Sequence, residues 1–171
     1  MKYWIAGAAA IALVLFVYLR GTTPRGAGPQ GLEGRPATDF AVRDTSGRMH
    51  ELAPYRGRIL VLNLWASWCP PCRAEMPDLQ RLYAAYRTRG VIVIGIDQGE
   101  SALKAASFAR SLAIRYPVWV DEDQRYGRVY AALGLPTTVI VGRDGIVVRG
   151  FDGPLSYPQM TQALAPLLPA S

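Results

Sequence analysis

Two stretches of the chain are apolar almost without interruption, Ile59-Leu60-Val61-Leu62-Asn63-Leu64-Trp65 and Val91-Ile92-Val93-Ile94-Gly95-Ile96-Asp97. Runs of this kind are expected of strands buried on both faces. Between them the pattern changes to a three-and-four spacing, with Met76, Leu79, Leu82, Tyr83 and Tyr86 on one stripe, which predicts a helix turned toward a core. Pro77 falls early in that helix and predicts a kink there. Upstream, Phe40–Asp44, Thr45-Ser46-Gly47 and Arg48–Leu52 read as a small hairpin with a glycine turn. Downstream, residues 101–111 look helical, 116–120 extended and 126–133 helical again. Thr137–Val141 and Ile146–Phe151, joined through Arg143-Asp144-Gly145, form a second hairpin. From Ser156 onward, Met160, Leu164, Leu167 and Leu168 mark a closing amphipathic helix. The order βαβ…ββα predicts a mixed sheet with helices on both faces, so the fold class is α/β.

The first residues break this pattern. Tyr3 to Leu19 contains no charged residue, with Lys2 before it and Arg20 after it. At about 1.5 Å per residue the run reaches about 25 Å, the short end of what a membrane-spanning helix requires. A cleaved signal is the alternative, since Gly26-Ala27-Gly28 offers small residues, but the run exceeds the usual signal core. Residues 1–20 are therefore expected to be an anchor. Residues 21–36, rich in Gly, Pro and Thr, are expected to be a flexible linker. Residues 37–171 are expected to be one domain. Flanking charge barely orients the anchor, because Lys2 and the terminal amine oppose Arg20 and Arg25. The export-type layout favours a domain on the outer side, where disulfide chemistry persists.

The formal charge is +6 over 171 residues. The arginines are scattered singly, with no basic block or aromatic ladder, so the excess describes a solvated surface and not a nucleic-acid partner. Lysine occurs only at Lys2 and Lys104.

Chemistry enters at Trp68-Cys69-Pro70-Pro71-Cys72, which holds the two cysteines of the chain between a predicted strand and a predicted helix. That layout is expected of a thiol–disulfide redox centre. Cys69, just before the helix, meets unpaired amides and the positive end of the helix dipole, which favour a thiolate; it is the expected nucleophile. Cys72, one turn in, is suited to resolving a mixed disulfide. A purely structural role is disfavoured, because so small a ring gains little from cross-linking. Zinc would need four ligands, and the chain has one histidine, His50, expected at the surface. No metal or organic cofactor is implied beyond the Cys69–Cys72 couple. Pro70 and Pro71 remove two amides that a thiolate could use, and they also stiffen the ring.

Three further positions bear on the pair. Glu75 shares a helix face with Cys72 and could exchange its proton, although an acid near a helix start is also ordinary. Asn63 is polar within an apolar run and needs a hydrogen-bond partner, whether near the redox loop or in the core. Leu135-Pro136-Thr137 enters a predicted strand, and a cis bond at Pro136 would turn its backbone toward the cysteines, ready to pair with an extended substrate.

Trp65 through Pro77, taken with Gly134-Leu135-Pro136-Thr137-Thr138, resembles the thioredoxin superfamily. More narrowly it resembles the TlpA/ResA/CcmG-like membrane-anchored thiol–disulfide oxidoreductases, from about residue 37 to the end. The resemblance implies a thioredoxin-like fold with an N-terminal β-hairpin and a helix–strand insertion, behind one transmembrane helix. It implies Cys69 as attacking cysteine, Cys72 as resolving cysteine, Glu75 as active-site acid and Pro136 as the cis-proline. Trp68, Leu135, Pro136 and Thr137 would meet the substrate. It further implies a bacterial cytoplasmic-membrane location with the domain facing the periplasm or another extracytoplasmic space. Partners would be client proteins with disulfides, such as apocytochrome c or metal-site assembly proteins, and a membrane-embedded dithiol electron donor. The chain departs from thioredoxin in carrying Asn63 where thioredoxin has a buried acid. It departs from the CcmG type, which usually has Gly-x-Pro-Glu-Thr, in carrying Gly134-Leu135-Pro136-Thr137-Thr138. Two alternatives are a peroxiredoxin-like peroxidase, against which the Cys-x-x-Cys argues, and a copper-binding assembly module, which usually adds a distant histidine that this chain lacks.

Overall fold

The computed structural model describes residues 31–130 and 132–169. The expected anchor at residues 1–20 and most of the expected linker therefore lie outside the described residues. No helix among the described residues is long and apolar enough to cross a membrane.

Among the described residues, seven strands form one mixed sheet: β1 (Val42–Asp44), β2 (Met49–His50), β3 (Ile59–Trp65), β4 (Val91–Gln98), β5 (Val118–Asp121), β6 (Thr137–Val141) and β7 (Val147–Asp152), in the spatial order β2-β1-β5-β4-β3-β6-β7. The two apolar runs lie at its centre. β3 pairs in parallel with β4 and antiparallel with β6, so both of its edges are bonded. All seven of its residues are buried, and with no face left for polar residues the continuous run follows. The early hairpin extends the far edge, β1 lying antiparallel to β5.

Among the described residues, four α-helices flank the sheet: α1 (Pro70–Tyr86), α2 (Ala102–Ser111), α3 (Arg125–Val129) and α4 (Tyr157–Leu164). Alternation along β3 divides the core in two. Ile59, Val61 and Trp65 pack with Met76, Leu79 and Leu82 of α1, Ala105 and Ala109 of α2, and Met160 and Leu164 of α4. Leu60, Leu62 and Leu64 face Tyr126 of α3, Tyr130 and Leu52. Each fully buried aliphatic side chain contributes about 1.5–3 kcal/mol of transfer free energy. The two tyrosines also strap the domain's entrance, Tyr126 donating its hydroxyl to the Phe40 carbonyl at 3.1 Å and Tyr130 to that of Thr38 at 3.1 Å. Bonding to the sheet begins upstream of these straps, with Gly34 N–H donating to Val147 at 2.9 Å.

Several expectations shift. The helix predicted over 126–133 ends at Val129, and the Ala132 N–H closes back on the Gly127 carbonyl at 3.0 Å before the chain turns toward Pro136. Pro77 does not interrupt α1, which continues to Tyr86 as a single element. Pro77 and Arg73, whose carbonyl the proline leaves without a helical donor, are both on the exposed side, where water can serve that carbonyl. His50 is partly buried rather than free on the surface. It lies 2.8 Å from the Asp44 carboxylate and stacks on Trp119 with ring centroids 5.5 Å apart.

Gly95 sits opposite Asn63 in the β3–β4 register. A Cβ there would lie 2.9 Å from Tyr116 Cε2 and 3.0 Å from Trp65 Nε1, and both rings are buried. Gly95→Ala is therefore expected to destabilise the domain by about 1–3 kcal/mol, the usual cost of overpacking. Urea unfolding would check it, and a midpoint equal to the parent's would show that the rings yield freely.

Candidate active site

Strand β3 ends at Trp65, a turn spans Ala66-Ser67-Trp68, and α1 begins at Pro70. Cys69 is thereby the N-cap of α1, in extended conformation, and its sulfur accepts the Cys72 N–H at 3.3 Å. With proline at the first two helical positions, Cys72 carries the first free amide of the helix. The prolines do remove two donors, as the sequence requires, but the amide that remains is aimed at the Cys69 sulfur. Cys69 and Cys72 form a disulfide with an S–S distance of 1.99 Å and Cα atoms 5.3 Å apart. Both are almost wholly buried, at 3% and 1% relative exposure.

Glu75 lies one helical turn beyond Cys72 and is buried at 3% exposure. One carboxylate oxygen accepts the Leu155 N–H at 3.0 Å and the other accepts from Asn63 Nδ2 at 3.2 Å. Burial pushes the Glu75 carboxyl up to about 7; the Leu155 and Asn63 donors pull it back, and the nearby charge of Asp78 adds to the rise. A carboxyl poised near neutrality can both give and take a proton in the working range. Asn63, fully buried, also donates to Thr138 Oγ1 at 3.0 Å. Of its two roles open from sequence, the structure assigns it to the site: its amide links strand β6 to the carboxyl of α1.

Leu135–Pro136 is a cis peptide, as the resemblance implied. Trp68 is 64% exposed and forms, with Gln98, Gln124, Arg128, Gly134 and Leu135, a groove of about 320 Å³. Trp68 and Leu135 are thus brought together on one surface. Pro136 is buried, and its carbonyl accepts the Gly153 N–H at 2.8 Å. Thr137 is fully buried, its hydroxyl 2.8 Å from the Gly134 carbonyl and 2.9 Å from Asp152 Oδ1. That side chain holds the turn in place. Leu155 and Thr138 were not singled out from sequence. The Leu155 contact is a backbone amide 80 positions from Glu75, and side-chain identity carries no signal for it.

The model of the AhpC/TSA family matches residues 34–149. Thiol-disulfide oxidoreductase ResA of Geobacillus thermodenitrificans (strain NG80-2) is 33% identical over 136 residues, covering 80% of this chain and 78% of its own. The chain belongs to the AhpC/TSA family, as a thiol–disulfide oxidoreductase of the ResA type. ResA of Bacillus subtilis (strain 168) is 32% identical over 124 residues, 72% of this chain and 69% of that one. Among solved structures, a thiol:disulfide interchange protein of the thioredoxin family from Chlorobium tepidum TLS superposes with a TM-score of 0.68 at 26% identity, covering 77% of this chain and 94% of that one. The fold is thioredoxin-like, and the β1–β2 hairpin and the α2–β5 segment stand where the resemblance placed its additions.

The position of Glu75 gives a stability signature. Its folded pKa lies above the ordinary value of 4.5, so the fold disfavours the charged form. Its contribution is fully present below about 4.5 and is lost as pH rises through about 7. The difference is expected to be about 3 kcal/mol. Oxidised protein should lose that much relative to Glu75→Gln between pH 4.5 and 8 in denaturant titrations. Parallel curves would show that the carboxyl ionises freely.

Proposed function

We propose that the chain reduces disulfides of client proteins on the outer side of a bacterial cytoplasmic membrane, with Cys69 attacking and Cys72 resolving. The observation that carries this reading is the Cys69–Cys72 pair at the head of α1 with the buried Glu75 carboxyl one turn below it. In the reduced protein, the Cys69 thiolate attacks a client disulfide, forms a mixed disulfide and releases one client sulfur, which takes a proton. Glu75 accepts the Cys72 proton, and the Cys72 thiolate attacks the Cys69 sulfur. The second client sulfur leaves and is protonated, and the Cys69–Cys72 disulfide closes. The client gains two electrons and the enzyme loses two, which a membrane-embedded dithiol donor restores.

Trp68 and the Leu135 backbone would receive the client segment, consistent with the groove they share. Placement at a membrane rests on the apolar run of residues 3–19 and the polar linker behind it. Apocytochrome c and metal-site assembly proteins fit as clients because their cysteines must be reduced before they take haem or metal. The local resolving partner, three residues from Cys69, favours protein exchange over a peroxidase cycle.

Cys69→Ser is expected to abolish insulin reduction, and retained turnover would reject the assignment. Cys72→Ser should accumulate mixed disulfides through Cys69, identifiable after capture from membranes. Glu75→Gln should slow reduction about 100-fold, the lower end of the usual range for proton transfer by a positioned side chain. The effect should be largest above about pH 7, where the Glu75 carboxyl is ionised and able to accept a proton. Peroxide consumption faster than insulin reduction would move the assignment to a peroxidase.

A further inference from the structure

A pair of acids lies at the end of β4, where Asp97 stands opposite Trp65 of β3. Asp97 is fully buried and Glu100 is 7% exposed. Asp97 Oδ1 accepts the Glu100 N–H at 3.0 Å, while Oδ2 is buried with no donor from the described residues. Glu100 gathers three donors on its carboxylate: the Ser67 N–H at 2.6 Å, the Ser67 hydroxyl at 2.8 Å and Lys104 Nζ at 2.6 Å. Lys104 is the one lysine among the described residues of an otherwise arginine-using chain. Ser67 lies two residues before Cys69, and the Cys69 N–H donates within the same turn, to the Ala66 carbonyl at 3.1 Å.

Burial raises Asp97, and the adjoining Glu100 adds to the rise, taking it to about 8. Burial also pushes Glu100 up, but Lys104, Ser67 and Asp97 outweigh it and hold it at about 2. Two carboxyls in contact keep one proton between them. Asp97 is thus favoured in its protonated form at neutral pH, beside the ionised Glu100. The Glu100 carboxylate is held by donors from the first turn of α2 and from the turn leading to Cys69. An exposed ion pair contributes little, but charge-assisted hydrogen bonds to a buried carboxylate are the strong kind.

We propose that Glu100 is a positioning residue for the redox pair. It fixes the turn 66–68 to the end of β4 through Ser67, and so holds Cys69 at the head of α1 and Trp68 at the groove wall. Glu100 acts through Ser67 and touches neither sulfur. This inference uses only the assignment of Cys69–Cys72 as the redox couple and is independent of the client and of the direction of electron flow.

The test compares full-length Glu100→Ala and Glu100→Gln with the parent, well below their unfolding midpoints. Two readouts are used: the equilibrium constant with glutathione, and the alkylation rate of Cys69 against pH in a Cys72→Ser background. Alanine removes both bonds to Ser67, so the disulfide form loses its brace. The protein should become more oxidising by at least tenfold in that constant, about 30 mV for a two-electron couple. Its alkylation profile should shift with it. Glutamine keeps an acceptor for the Ser67 N–H and offers a donor to the hydroxyl, and should stay within threefold of the parent. Should the alanine variant fail to fold, Ser67→Ala removes one bond alone and should move the constant about threefold. A folded Glu100→Ala, or Ser67→Ala in its place, with both readouts within twofold of the parent overturns the proposal. So does a glutamine variant as impaired as alanine. Failure to reduce any client, with these shifts present, would count against the reductase reading and leave the positioning role standing.

Discussion

Strand β3 is buried on both faces and hydrogen-bonded on both edges, and this fixes the point at which the chain leaves the sheet. Only four residues, Ala66 to Cys69, separate that point from the helix carrying the second cysteine. Cys69 therefore cannot drift: its carbonyl accepts the Arg73 N–H at 3.2 Å, its sulfur accepts from Cys72, and the turn behind it is bonded internally. A reactive sulfur set on a rigid strand–helix junction has little reorganisation left to undergo when a partner sulfur arrives.

The same junction explains the acids. The face of β3 that carries Val61 and Trp65 also carries Asn63, and α1 packs on it, so the carboxyl of Glu75 is drawn into the core with the helix. Desolvation raises its pKa, and the Asn63 and Leu155 donors keep it from rising further. The result is a carboxyl near neutrality one helical turn from the Cys69–Cys72 pair. Asp97 and Glu100 reach a different balance at the end of β4. There Lys104 and Ser67 supply enough donors to keep one acid ionised while its neighbour holds the proton. Identical chemistry is thus tuned in opposite directions by what surrounds it.

Much of this was legible in the chain. The central strands, the hairpins, the helix stripe and the redox pair follow from periodicity and spacing, because burial on both faces, on one face or on a stripe each impose a distinct pattern. Element ends were less legible. Helix α3 stops at Val129 because the chain must turn to reach Pro136, a demand of the sheet that no local propensity expresses. Pro77 is accommodated because its side of α1 faces water. Thr137 is legible as part of a predicted substrate segment, but the bonds of its side chain to Gly134 and Asp152 are not.

By itself, the sequence determined the fold class and the pairing of Cys69 with Cys72 before a helix. Two cysteines at that spacing before a helix permit few other chemistries, and the order of strands and helices admits few other folds. Tertiary structure alone decided the environment of that pair. Leu155 reaches Glu75 through a backbone amide, Ser67 reaches Glu100 across the β3–β4 ends, and Trp68 meets Leu135 at a groove from opposite sides of the sequence. Such contacts join residues tens of positions apart through groups that every residue carries, or through distances that the sheet register sets. They exist only once β3, β4 and β6 are aligned.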